Sequence, residues 1–144
     1  MDEIKVGKII KHISISIDKH TNSLLREKDL SMAQALVLVW LSENKEHKLP
    51  IKFIEKMSNT AQSTTFGVIS RLANKGFVTT YISENRTKVV EITEAGLELI
   101  DFIRECISTS EKVMFTSFTK GEYMIFTELL SKIETNVEQY RDIN

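Results

Sequence analysis

Thr60-Ala-Gln-Ser-Thr-Thr-Phe-Gly-Val-Ile-Ser-Arg-Leu-Ala-Asn-Lys-Gly-Phe-Val78, wound as a helix, separates into an apolar side and a side of short polar groups. Phe66, Ile69, Leu72 and Ala73 recur at helical spacing, joined by Thr65 and Val68, and are expected to face a core. Ser63, Thr64, Gly67, Ser70, Arg71 and Asn74 fall opposite. Glu and Lys fill an ordinary solvated helix face. This one carries hydroxyls, an amide, one arginine and a glycine, so a second surface can come close, and the groove of a DNA duplex is the surface such a face fits.

The residues that follow extend this reading. Gly76 stands where a helix C-terminus favours a left-handed residue, and Phe77 supplies the apolar contact that completes such a stop. Val78-Thr-Thr-Tyr-Ile82 and Lys88-Val-Val-Glu-Ile92 are rich in β-branched and aromatic residues and predict two strands, joined by the polar tip Ser83-Glu-Asn-Arg-Thr87. A helix followed by a hairpin is the arrangement of a winged helix-turn-helix, in which the hairpin tip reaches a neighbouring groove or the phosphate backbone. Arg86 is the cation of that tip.

Segments on either side predict further helices. Val6, Ile9, Ile10, Ile13, Ile17, Leu24 and Leu25 form a stripe over a first helix from about Asp2 to Leu25. Ser31 and Gln34 match a capping box, stapled by Leu30 and Ala35, and open a second helix from Met32 to Glu43 that carries Trp40 in the core. Ser42 to Leu49 is expected to be a charged connection. Pro50 fits the first position of a short helix through Met57, and Asn59 or Thr60 is expected to cap the helix after it. Thr93 can cap a long helix through about Phe115, with Leu97, Ile100, Ile103, Ile107 and Met114 on its apolar side. Thr119 and Glu122, stapled by Phe118 and Tyr123, start a last helix carrying Phe126, Leu129, Leu130, Ile133, Val137 and Tyr140.

The expected fold class is therefore mainly α with a small β-hairpin wing, with residues 1–144 as a single domain. Residues 30–92 are its winged helix-turn-helix core, and residues 1–28 and 93–144 a helical dimerisation region. A winged core cannot bury three long amphipathic stripes alone, so two-fold pairing of chains is expected.

Composition narrows the function classes. With 42% hydrophobic and 27% charged residues, 144 residues suit a domain with a real core. The longest apolar run, Ala35 to Leu41, is 7 residues, far below the roughly 18 needed to cross a bilayer. No membrane partner is expected, and the charged first 25 residues do not suit a signal peptide, which predicts a cytoplasmic protein. One cysteine, Cys106, excludes an internal disulfide; it reads as a small core residue, with an oxidation-sensing thiol as the alternative, and three scattered histidines predict no metal site and no metal cofactor. No nucleophile elbow, phosphate-cradling glycine loop or paired carboxylates are present, so no catalytic residues and no enzyme are expected. The net charge of −1 is unevenly spread: residues 50–90 carry six basic against two acidic side chains, whereas residues 91–144 carry five against eleven. The positive field lies on the expected reading head.

In order and spacing, Leu30-Ser-Met-Ala-Gln34, Ser70-Arg-Leu-Ala-Asn-Lys-Gly-Phe-Val78, the wing, and Ile92-Thr-Glu-Ala-Gly96 resemble the MarR family of bacterial transcription regulators over essentially the whole chain. The resemblance implies a homodimer on double-stranded DNA, with recognition helices in successive major grooves of an inverted-repeat operator and wings on the flanking minor grooves. By that resemblance Gln62, Ser63, Thr64, Gly67, Ser70 and Arg71 face bases or phosphates, and Arg86 is the wing-tip arginine. Asn74, on the same outer face, and Lys88, beside the tip, complete the expected DNA-binding set. The implied function is a transcription regulator, most often a repressor, relieved by a small-molecule effector or another signal acting in a crevice between the helical region and the reading head. Met32, Trp40, Met114 and Phe115 are candidates to line that crevice. The wing departs from the family's aspartate-arginine-arginine by reading Asn85-Arg86-Thr87, and Phe53 to Asn59 lacks the usual small residue. An alternative of another class is a winged-helix protein-interaction module without DNA binding.

Overall fold

The stripe of Val6, Ile9, Ile10 and Ile13 lies on helix α1 (Ile4–Leu25) and is 44–52% exposed, whereas Leu25 at the far end is fully buried. A computed structural model of the chain describes residues 4–143, so the expected helix start at Asp2 lies outside the described residues. These residues divide into two compact units, with the boundary after Ser110.

In the first unit a single 3-10 turn (Arg26–Lys28) leads to α2 (Met32–Glu43). The capping box is formed: the Gln34 N–H donates to Ser31 Oγ at 3.2 Å and the Ser31 N–H to Gln34 Oε1 at 3.3 Å. Leu30 and Ala35 are buried, as a staple requires. Trp40 is only half-buried and packs at the edge of the core, a correction to its expected burial.

The connection after α2 is partly a strand. β1 (Lys48–Pro50) pairs antiparallel with β3 (Lys88–Ile92), Leu49 opposite Val90, and β2 (Val78–Ile82) pairs on the other side, giving the order β1-β3-β2. The hairpin has the expected boundaries, and the third strand covers an edge of β3 that would otherwise be unpaired. Pro50 ends β1 and is the N-cap of α3 (Ile51–Ser58) rather than its first residue. The fold is thus mainly helical with a small antiparallel sheet. Leu38, Leu41, Ile54, Leu72, Val90 and Ile103, at 0% exposure, are the centre of the core that holds these elements together.

Beyond the sheet the expected long helix is broken. Thr93 caps α5 (Glu94–Leu97), its Oγ1 accepting the Gly96 N–H at 3.2 Å, and α6 (Ile100–Met114) begins after a two-residue turn. At the break the Leu99 N–H reaches Gly96 O, three residues back, so the winding tightens where Gly96 is held against the sheet. Ser110 Oγ lies 2.8 Å from both His20 Nδ1 and Thr21 Oγ1 and ties α1 to α6 with buried hydroxyls.

In the second unit α7 (Lys120–Ile143) starts at the predicted box: the Thr119 N–H donates to Glu122 Oε1 at 2.9 Å and the Glu122 N–H to Thr119 Oγ1 at 3.1 Å. Phe115, Phe118, Tyr123 and Phe126 meet edge to face with centroids 4.8–6.0 Å apart. Along α7, Leu129, Leu130, Ile133 and Val137 are exposed.

The Thr119 backbone N–H, and then its side chain, hold the Glu122 carboxyl below its ordinary value of 4.5. A carboxylate lowered in the folded state adds stability above the unfolded value and loses it as pH falls through the folded one. The first turn of α7 is therefore expected to loosen below pH 4.5, and a carboxyl NMR titration should place the Glu122 midpoint under that value. A midpoint at or above it contradicts the cap.

Candidate nucleic-acid interface

The turn between α3 and α4 (Gln62–Asn74) is set by Asn59, whose left-handed φ of 53° closes α3 with its N–H on Lys56 O. Asn59 therefore ends the supporting helix instead of capping the next. Thr60 does not cap it either, because its Oγ1 sits 2.9 Å from both Ser58 Oγ and Thr65 Oγ1. The N-cap of α4 is Ala61, and no side chain bonds the first amides. An uncapped helix start leaves N–H groups pointing outward with the positive end of the helix dipole, which suits a phosphate. The sequence reading missed this feature, although the alanine before Gln62 is its signal.

Along α4, Thr65, Ile69 and Leu72 are buried and Phe66 and Val68 half-buried, but Ala73 is exposed, contrary to its expected burial. Gln62, Ser63, Thr64, Ser70, Arg71 and Asn74 are all exposed on the outer side. Gly67 is half-buried beneath Arg71: a Cβ placed at Gly67 would lie 3.3 Å from Arg71 Nη1. The missing side chain at one position thus makes room for the guanidinium one turn later.

The helix stops as expected. Gly76 has φ of 81°, its N–H bonds Ala73 O at 3.0 Å, and the Phe77 N–H bonds Leu72 O at 3.0 Å, the pair of bonds that closes a Schellman motif. Lys75 is held inside the unit, donating to Gln34 Oε1 at 3.0 Å and to Asp29 O, with Asp29 Oδ2 at 3.5 Å. It anchors the end of α4 to the start of α2, and its charge in the reading head is paired with Asp29.

At the wing, Arg86 sits exposed at the tip with a left-handed φ of 60°, its N–H on Ser83 O at 2.9 Å, and the Ser83 N–H closes the turn on Thr87 O at 2.8 Å. Lys88 behaves differently from the expectation of a projecting contact. Its ammonium lies 4.5 Å from the centroid of Phe66, joining β3 to α4 by a cation–π contact. The outer face of α4 and the tip of the β2–β3 hairpin belong to the same unit and carry Arg71 and Arg86, neither of which forms an ion pair among the described residues.

Other candidate chemistry is sparse. Cys106 is 5% exposed, and burial, followed by the nearby Glu27 and Glu105 carboxylates, pushes its thiol upward, away from a reactive thiolate. Among the described residues no group of three or more His, Cys, Asp and Glu could hold a metal ion, and no helix is long and apolar enough to cross a membrane.

Residues 30–90 match the sequence model of the MarR family. The chain is 26% identical over 132 residues to the uncharacterised HTH-type transcriptional regulator YybA of Bacillus subtilis (strain 168), covering 88% of this chain and 85% of that protein. Its fold is that of the MarR transcriptional regulator from Methanosarcina mazei Go1, at a TM-score of 0.88 and 18% identity over 97% of this chain and 94% of the other. Wild-type MarR (apo form) from E. coli superposes at a TM-score of 0.77 and 20% identity, over 89% and 96% of the two chains. The helix-turn-helix and wing, residues 30–90, thus match the MarR family in sequence, and over nearly all its length the chain has the fold of solved MarR-family regulators.

Proposed function

We propose that the protein is a homodimeric, sequence-specific DNA-binding transcription regulator, a repressor relieved by a signal that changes its shape. The observation that carries this is the outer side of α4. It is exposed, short-chained and free of acidic residues, with an uncapped N-terminus and a cationic wing tip in the same unit. Gln62, Ser63, Thr64, Gly67, Ser70, Arg71 and Asn74 form the proposed major-groove surface and Arg86 the wing contact. Lys88 contributes positive field while holding the wing to α4. A regulator of this kind works on cytoplasmic DNA and needs neither cofactor nor catalytic residues.

Pairing of two chains is supported by the exposed apolar residues of α1 and of α7, which a single chain in water leaves wet. In the proposed division of labour residues 30–92 read DNA, and residues 1–28 with 93–144 bring two copies together. Leu130→Glu, placed in the exposed stripe of α7, is expected to shift the protein toward monomer in sedimentation velocity, with its helical circular dichroism kept. An unchanged dimer would remove α7 from the interface.

Gel shifts on DNA upstream of the protein's own gene, at low and moderate salt, test the function. The expected result is a discrete complex that weakens steeply with salt as phosphate counterions are released. A flat result there and on random genomic fragments would favour the protein-interaction module.

A further inference from the structure

Helix α1 carries a second stripe, opposite the apolar one. Lys8, Lys11, Ile15, Lys19, Asn22 and Arg26 follow one another at three- and four-residue steps and so share a face, turned away from Val6, Ile9, Ile13 and Leu24. Four of the six are cations. All four are exposed, and none of them forms an ion pair among the described residues. Residues 4–28 hold six basic and two acidic side chains, the same balance as the reading head of residues 50–90. We infer that this row is a second, sequence-independent docking surface for duplex DNA, on which the protein holds another duplex while α4 reads its operator. The bridging half rests on the reading of α4 given above.

Shape, length and charge each point to this occupant. Two shallow grooves follow the row, one lined by Lys8, Lys11 and His12 and the other by Asn22, Arg26 and Lys75, and Lys19 lines both. They make one trough along α1. Its lower end is fixed, because the Met32 N–H donates to Asn22 Oδ1 at 2.7 Å and ties α1 to the start of α2. From Lys8 to Arg26 the helix rises about 27 Å at 1.5 Å per residue. A duplex presents a phosphate roughly every 3.4 Å on each strand, so about eight lie along that length. Evenly spread negative charge therefore matches the row. A folded protein partner fits less well, since such interfaces have an apolar core and only Ile15 of the row is apolar.

Neighbouring acids do not cancel the cations. Asp18, the one acid of α1, lies about 100° around the helix from Lys19. Glu27 stands between Arg26 and Lys28, and Asp29 is paired with Lys75. Pairing of two chains through the apolar stripe, as proposed, leaves the opposite face outward.

A bead assay on the full-length protein tests the inference, with an unrelated biotinylated duplex on the beads and the labelled operator fragment in solution. The protein is expected to retain the operator on the beads, and retention should fall steeply with salt. Two reading heads could also grip two duplexes, so the deciding variant is Lys8→Gln, Lys11→Gln and Lys19→Gln together. These residues are exposed and glutamine is a comparable helix former, so helical circular dichroism should be kept. Operator affinity in the gel shift should stay within about twofold, while bead retention falls at least about tenfold and its salt slope drops by about one for each lysine on a phosphate. A parent protein that shifts the operator but retains none on the beads, or a triple variant that retains it equally, would overturn the second surface. Equal losses in both assays would overturn it too, placing the row on the operator itself, and so would competition by polyglutamate as strong as that by DNA of equal charge. A parent protein that shifts no operator but binds the bead duplex, with that binding lost in the triple variant, would overturn the reading of α4 and support the row.

Discussion

Arg71→Ala is expected to bind DNA about 10- to 100-fold more weakly than the parent protein, the range expected for losing a good arginine contact to a base edge. Arg71 is exposed, on the outer side of α4, and among the described residues it forms no ion pair with a carboxylate. Its guanidinium lies over Gly67, so the fork rests on bare backbone at the place where a duplex would come closest. Gly67→Ala separates this account from one in which α4 is only a packing element. A Cβ there meets the far end of a flexible side chain at 3.3 Å, and alanine is the better helix former by about 0.5–1 kcal/mol, so stability should rise or hold. DNA affinity should nevertheless fall, because the arginine is displaced and the close approach is lost. Arg86→Ala should weaken binding on all sequences alike and lower the salt slope by about one, as expected for a phosphate contact. Fluorescence anisotropy at several salt concentrations measures all three, with thermal unfolding alongside.

Gly96→Ala is expected to cost about 3 kcal/mol of stability and lower Tm by about 10 °C. A Cβ at Gly96 would stand 2.4 Å from Phe77 O and 2.7 Å from Ile92 Cγ1. The first is backbone and cannot step aside, because Phe77 O already accepts the Thr93 N–H at 3.0 Å, while Thr93 Oγ1 donates to Gly76 O at 2.7 Å. The end of α4, the end of the sheet and the cap of α5 meet at this point, so a displacement there reaches the reading helix. Gly76→Ala disturbs only the φ of 81° and has open space around it, so its cost should be nearer 1 kcal/mol. If the two variants melt together, the close packing at Gly96 is not what makes it glycine.

Features specified by neighbouring residues were legible in the sequence. The Ser31–Gln34 and Thr119–Glu122 boxes, the Gly76 stop and both strands of the hairpin stand where their local chemistry places them. Features that depend on distant residues were not. β1 is three residues long and is a strand only because Val89, Val90 and Glu91, some forty positions on, offer it an edge. The same holds for the break between α5 and α6, which follows from Gly96 packing on Phe77 and Ile92. Within the candidate interface the exposed face of α4 was readable from helical periodicity, apart from Ala73, which that periodicity misplaced. Lys88 is expected from the sequence as part of the DNA-binding set, and nothing in the sequence reveals that Phe66 lies beneath its ammonium or that Lys75 is held by Gln34 and Asp29. Asn59 and Thr60 are both good cap residues by type, but Asn59 closes α3 and the Thr60 hydroxyl completes a chain of three across the turn.

In the proposed complex the short-chained face of α4 lies in the major groove of a duplex. Ser70→Cys carrying a photoactivatable aryl azide, bound to the DNA fragment retained in the gel shift, tests it directly. Adducts are expected on bases at two places about one helical turn apart, one from each copy. Adducts scattered along the fragment, or none while the labelled protein still binds, would contradict it.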